Sequence, residues 1–172
     1  MATYQSYETA RLLLKPTQLA DAAMVLEILN SPKWLKYIGD RSVHTIAAAE
    51  AYITERMLPQ LERLGFANYT VIRKEDNTKM GLCGLYDRAG LEGVDIGFAF
   101  LERYEKQGYA FESASKMKQL AFTEFELDYI SAITTKDNIA SQKLLERLEM
   151  KHTKMINLPD DEEELMFYEI SR

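Results

Sequence analysis

A chain of 172 residues, 47% hydrophobic and 28% charged, has the length and composition of one globular domain, 1–172, and excludes a disordered or fibrous protein. Its net charge of −6 argues against nonspecific nucleic-acid binding and mildly favours a cationic partner. No apolar run reaches membrane-spanning length, no signal-peptide pattern opens the chain, and a lone cysteine, Cys83, excludes an intrachain disulfide; a cytoplasmic protein that leaves membranes alone is expected.

Residues 11–15 read as a short first strand ended by Pro16. Thr17 is the expected cap of a helix to about residue 30, with Leu19, Ala22, Ala23, Leu26 and Leu29 on its apolar stripe. Ser31-Pro32 breaks that helix and leaves Trp34 and Tyr37 in a short irregular segment. Thr45 starts a second long helix to about residue 64, which Pro59 should kink or divide in two. Residues 66–73 and 79–86 read as strands around the turn Glu75-Asp76-Asn77-Thr78, and Gly81 and Gly84 predict bulges or close packing in the second.

Residues 94–100 alternate strictly: Val94, Ile96, Phe98 and Phe100 form a bulky face, and Asp95, Gly97 and Ala99 a face with little bulk, so that something can lie close against that backbone. Glu105-Lys106-Gln107-Gly108 leads directly into a helix whose apolar positions are Ala110, Ala114, Met117, Ala121 and Phe125. No Ser, Thr, Asp or Asn precedes it as a cap, so bare amides, a turn-forming glycine and a lysine meet at its N-terminus. Such a place suits an anion, phosphate most naturally, although a glycine before a helix is also an ordinary turn. A strand at 129–134, a helix at 138–148 and strands at 151–157 and 165–170 complete the chain. Between the last two, Asp160-Asp161-Glu162-Glu163-Glu164 reads as a solvated loop, since it lacks the glycine and alternate spacing of a calcium loop. The order βααβββαβαββ predicts an α/β (α+β) domain: one mixed, mostly antiparallel sheet of about seven strands with helices on both faces.

Four stretches, in this order, carry a family resemblance: Thr9-Ala10-Arg11-Leu12-Leu13-Leu14-Lys15-Pro16, Val94-Asp95-Ile96-Gly97-Phe98, Gly108-Tyr109-Ala110 with Glu112, and Asn138-Ile139-Ala140-Ser141. Together they resemble the GNAT superfamily of acetyl-CoA-dependent N-acetyltransferases, in particular the branch acting on N-termini of ribosomal proteins. The resemblance implies direct acetyl transfer from acetyl-CoA to a primary amine (a protein N-terminus, a polyamine or a small amine) in a ternary complex without metal. It implies that the cofactor's diphosphate rests on Lys106, Gln107, Gly108, Tyr109, Ala110 and Phe111, and that the pantetheine arm pairs like a strand with Phe98, Ala99 and Phe100. A backbone N–H near Phe98 would polarise the thioester carbonyl.

Asn138 and Ser141 match the family's Asn-x-x-Ser, either contacting the pantetheine and sulfur or only capping the helix. Relatives often carry Tyr where this chain has Leu145, which leaves the Ser141 hydroxyl to attend the departing thiolate. Asp95 is the candidate base or a hydrogen-bonding carboxylate; with an ordinary pKa of about 3.9 it would act more easily on an α-amine at about 7.7–8.0 than on a lysine at about 10.4. Glu105, Lys106 and the pair Glu149-Met150 depart from the family, which usually has Gln, Arg or an aromatic, often Gly, and Gly-Phe there. Trp34, Tyr37 and Tyr52 lie where the family walls its acceptor groove but read as core aromatics. Cys83 as a nucleophile lacks a neighbouring base, since His44 and His152 are both remote in sequence. Homodimers are common in this branch. The alternative is a catalytically weak GNAT-like module that binds CoA and serves regulation or interaction.

Overall fold

The computed structural model describes residues 3–172. Among these residues eight strands form one sheet in the order β1-β2-β3-β4-β5-β6-β8-β7. They are β1 (Tyr7–Glu8), β2 (Leu12–Pro16), β3 (Asn68–Arg73), β4 (Thr78–Tyr86), β5 (Asp95–Phe100), β6 (Tyr129–Thr135), β7 (Lys151–Ile156) and β8 (Leu165–Ser171). The strand beyond the expected seven is β1, too short to leave a periodic signal. All neighbours pair antiparallel except β5 and β6. Those two are parallel because helix α5 (Tyr109–Thr123) carries the chain from the end of one to the start of the other.

The strand periodicity sorts side chains into two cores. Leu12, Leu14, Cys83, Leu85 and Ile96 pack with Ala114, Met117 and Ala121 of α5, and with Leu145 of α6 (Ile139–Arg147). On the other face Leu82 and Leu101 pack with Val25, Ile28 and Leu29 of α1 (Ala22–Leu29), and with Ala49 of α3 (Ile46–Tyr52). Burial of these apolar faces supplies most of the driving force.

The predicted helices are refined at three places. Thr17 does not cap α1, because its hydroxyl meets Thr70 at 3.1 Å. A 3₁₀ turn at Leu19–Asp21 comes first, and Asp21 accepts the Gln18 N–H at 2.9 Å. Residues 32–37 are not irregular: Ser31 caps α2 (Pro32–Tyr37), with Pro32 in its first turn. The expected division at Pro59 is a π-helical turn, Ile53–Met57, between α3 and α4 (Leu58–Leu64). A proline lacks the N–H that would bond four residues back, and the widened turn accommodates that loss. Thr45 does cap α3, accepting the Ala48 N–H at 3.1 Å. Close packing explains both strand glycines: a Cβ on Gly81 would lie 2.5 Å from the Ala99 carbonyl, and one on Gly84 2.4 Å from that of Ala67. The β3–β4 register also shifts at Val71/Ile72, opposite Gly81.

Candidate active site

The parallel pair β5–β6 is registered at one point, Asp95 opposite Ser131, where the Ser131 N–H donates to the Val94 carbonyl at 3.0 Å. Beyond it the strands diverge and leave a wedge. The Val94 carbonyl faces β6, whereas the Leu101 N–H donates to the Met80 carbonyl of β4 at 3.0 Å. With the β4–β5 register continuous from Asp95 to Phe100, the backbone groups of Phe98 and Phe100, beyond the one paired point, face the wedge. They form a short unpaired strand edge, ready to pair with an extended ligand. Ala99 differs from the expectation: its backbone groups turn to β4, so it meets the wedge only as a methyl beside the α1–α3 core.

Gly97 has its own reason to be small. The Tyr86 ring lies over it, and a Cβ there would stand 2.8 Å from Tyr86 Cε2. The Tyr86 hydroxyl donates to Asn68 Oδ1 at 2.5 Å. The low face of β5 thus already holds a ring from the neighbouring strand.

At the end of β5 the chain makes a 3₁₀ turn, Glu102–Tyr104, and then places Lys106 (φ 59°) and Gly108 (φ 83°) in left-handed conformation before α5. No side chain caps α5. Alternating left-handed residues turn successive N–H groups toward a common point, and the α5 dipole adds positive potential there. Arg11 completes the turn and was not visible as a candidate in the sequence. Its Nη1 donates to the Gln107 carbonyl at 3.0 Å and its guanidinium lies over the Tyr109 ring, 4.4 Å from the centroid. Glu112 holds Arg11 in place, accepting from the Thr9 hydroxyl (2.6 Å), the Arg11 N–H (2.9 Å) and Arg11 Nε (2.7 Å). Burial pushes the Glu112 carboxyl up, but these three donors outweigh it and hold the pKa below the ordinary value. A groove of about 650 Å3 runs along the start of α5, lined by Arg11, Gly108, Phe111, Lys116 and Arg147 among others. Arg147 lies over the Phe111 ring at 3.9 Å.

Glu105, the acidic neighbour of this turn, is neutralised by an ion pair with Lys33 of α2. From the same helix Lys36 reaches Asp137 at 3.8 Å, next to the cap of α6. Helix α2 therefore touches both sides of the wedge. Asn138 does cap α6, its Oδ1 accepting the Ser141 N–H at 3.3 Å, and Ser141 is half-buried in the first turn. Leu145 is fully buried in the core, so no side-chain proton donor stands at that place. Lys106 and Glu149 (φ 66°) are both left-handed, which explains why glycine suits those positions in the resembled family. Met150 fills the core next to Glu149.

Asp95 is 1% exposed, on the α1–α3 face, and both its oxygens accept from Arg88, at 3.1 and 3.2 Å. Burial raises its pKa and Arg88 opposes the rise; the net direction is upward. Tyr86 shares this neighbourhood, the Arg88 guanidinium lying 5.7 Å from its ring centroid. The loops on either side are joined, since Gly90 packs so closely on Pro159 that a Cβ would lie 2.2 Å from it. Lys136 fastens the second loop through Glu164 at 2.7 Å. Of the aromatics, Trp34 and Tyr52 pack against the α1–α3 core, as expected, while Tyr37 lies partly exposed beneath Lys36. Cys83 is fully buried, with its thiol pushed up to about 12 by burial, which disfavours a nucleophilic thiolate. Among the described residues no three His, Cys, Asp or Glu converge as a metal site, and no helix is long and apolar enough to cross a membrane.

Residues 11–151 match the family model for the acetyltransferase (GNAT) domain. The uncharacterized N-acetyltransferase YnaD of Bacillus subtilis (strain 168) is 27% identical over 143 residues, 83% of this chain and 81% of YnaD. Among solved structures, the acetyltransferase from Agrobacterium tumefaciens str. C58 superposes with a TM-score of 0.84 at 19% identity, over 100% of this chain and 97% of that one. A ribosomal L7/L12 α-N-protein acetyltransferase in complex with coenzyme A gives a TM-score of 0.82 at 14% identity, covering 97% of this chain and 98% of that one.

Proposed function

The chain belongs to the GNAT family of acetyltransferases, and from that premise we propose that it moves acetyl from acetyl-CoA to a primary amine by direct attack in a ternary complex. The observation that carries this reading is the wedge: an unpaired β5 edge at Phe98 and Phe100 runs straight into an uncapped, left-handed anion turn.

The amides of residues 106–111 and the Arg11 guanidinium hold the diphosphate of the cofactor. The Phe98 and Phe100 backbone groups pair with the pantetheine arm, and the Ala99 methyl lines it. The thioester supplies the activated acetyl group. As the amine attacks, the Phe98 N–H takes up the charge developing on the carbonyl oxygen, commonly the greatest single source of rate enhancement in acyl transfer. The departing thiolate needs only a weak acid, since an ordinary thiol pKa is about 8.5, and the Ser141 hydroxyl with Asn138 beside it serves as hydrogen-bond donor. Asp95 accepts the amine proton through water. Its raised pKa favours a base, and its bond to Arg88 keeps it from acting by direct contact.

The acceptor approaches from the α1–α3 face, where Asp95 and Tyr86 lie. The first class to test is a protein N-terminus, the acceptor named for the L7/L12 enzyme of the same fold. Thiol release from acetyl-CoA is followed with peptides carrying a free α-amine, with polyamines and with small amines. Turnover on at least one class, lowered about tenfold or more in Asp95→Asn with a changed pH profile, supports the reading. Tight CoA binding without turnover on any amine supports a binding module instead.

A further inference from the structure

Helix α2 carries an observation that the reaction does not use. Its Lys33 ammonium pairs with Glu105, one residue before the left-handed Lys106 that opens the anion turn. A carboxylate in that place would repel a diphosphate. Lys33 does more than cancel it, because an ammonium has three N–H donors and Glu105 occupies only part of them. The Lys33 side chain is 54% exposed and thus free to meet another anion, while that of Glu105 is 21% exposed and holds the lysine at the turn. The opposite end of α2 meets the other side of the wedge through Lys36 and Asp137. Between the two lysines stands Trp34, the chain's one tryptophan, whose buried indole N–H has no partner among the described residues.

We propose that Lys33 is a direct ligand of the cofactor's diphosphate, presented by Glu105 as a positioning residue, and that this bond fastens α2 across the wedge when the cofactor arrives. Cofactor occupancy is thereby transmitted to α2 and, through Trp34, to the α1–α3 core against which Trp34 packs. The proposal rests on the assignment of CoA to this turn.

Calorimetric titration with CoA separates the two. In Lys33→Gln the affinity falls about fivefold or more, as for one lost charge-assisted contact at a half-exposed site. The fall is the same for 3′-dephospho-CoA, because the contact is to the diphosphate, and Lys33→Arg retains the affinity within about twofold. The decisive variant is Lys33→Gln/Glu105→Gln, which stays weak if Lys33 touches the ligand. Recovery of wild-type affinity in that double variant means that Lys33 only shields Glu105, and overturns the proposal. Trp34 fluorescence reports the strap: CoA changes it in the wild type and fails to change it in the double variant at saturating CoA. An equal change in both overturns the fastening of α2. Absence of CoA binding to the wild type defeats the assignment of the turn itself, a different result from intact binding in Lys33→Gln.

Discussion

The two sides of the wedge are built on different principles. The proposed cofactor side is backbone: a strand edge, two left-handed residues and a helix start without a side-chain cap, fixed by Arg11 and Glu112. The proposed acceptor side is side chain: Arg88 against Asp95, and Tyr86 over Gly97, near two loops joined at Gly90 and Pro159. Backbone sites tolerate changes in side-chain identity as long as the dihedral angles survive, and Lys106 keeps a left-handed φ of 59° that would suit a glycine. Side-chain sites have no such freedom, and there a single truncation leaves a buried charge alone.

The largest effect expected is on the acceptor side. Arg88→Met leaves the Asp95 carboxylate buried and unpaired and should lower stability by about 3 kcal/mol in denaturant unfolding, with CoA affinity unchanged. Arg88→Met/Asp95→Asn should recover most of that loss, because the stranded charge is gone. On the cofactor side the pattern inverts. Arg11→Ala should weaken CoA binding about tenfold by calorimetry while altering the melting temperature less than Arg88→Met does.

A pH titration sharpens the contrast further. Glu112 is held below its ordinary pKa in the fold, so its stabilising contribution is present above the unfolded value and is lost as pH falls through the folded one. Wild-type stability should therefore decline on acidification below the ordinary carboxylate range, with a shallower decline in Glu112→Gln. The smallest effect is at the exit of α6. Glu149→Gly relieves a left-handed non-glycine residue and should stabilise the fold by about 1 kcal/mol with CoA binding unaltered.

The same division governs what the sequence made legible. The alternation of residues 94–100 and the bare start of α5 are local patterns, so the strand, the turn and the helix were readable, as was the cap at Asn138. Arg11 was not, because its contact with Gln107 spans 96 positions and nothing around it marks more than a strand. Lys33 and Glu105 are 72 positions apart, and in the sequence Glu105 stands out only as a departure from the resembled family. Helix α2 carried its signal in Ser31-Pro32, a cap followed by a first-turn proline, but six residues are too few to display a helical period. Thr17 misled because a threonine before an apolar stripe resembles a cap, whereas here the sheet claims its hydroxyl.

The most direct test of the account is calorimetric titration of acetyl-CoA into the wild type beside Gly108→Glu. That substitution forces a side chain into a φ of +83°, within 3.2 Å of Arg11 Nη2, and brings a carboxylate to the anion turn. Binding to the wild type that vanishes in the variant, with the fold retained by circular dichroism, is the predicted result. Equal binding by both proteins would place the cofactor elsewhere and contradict the account.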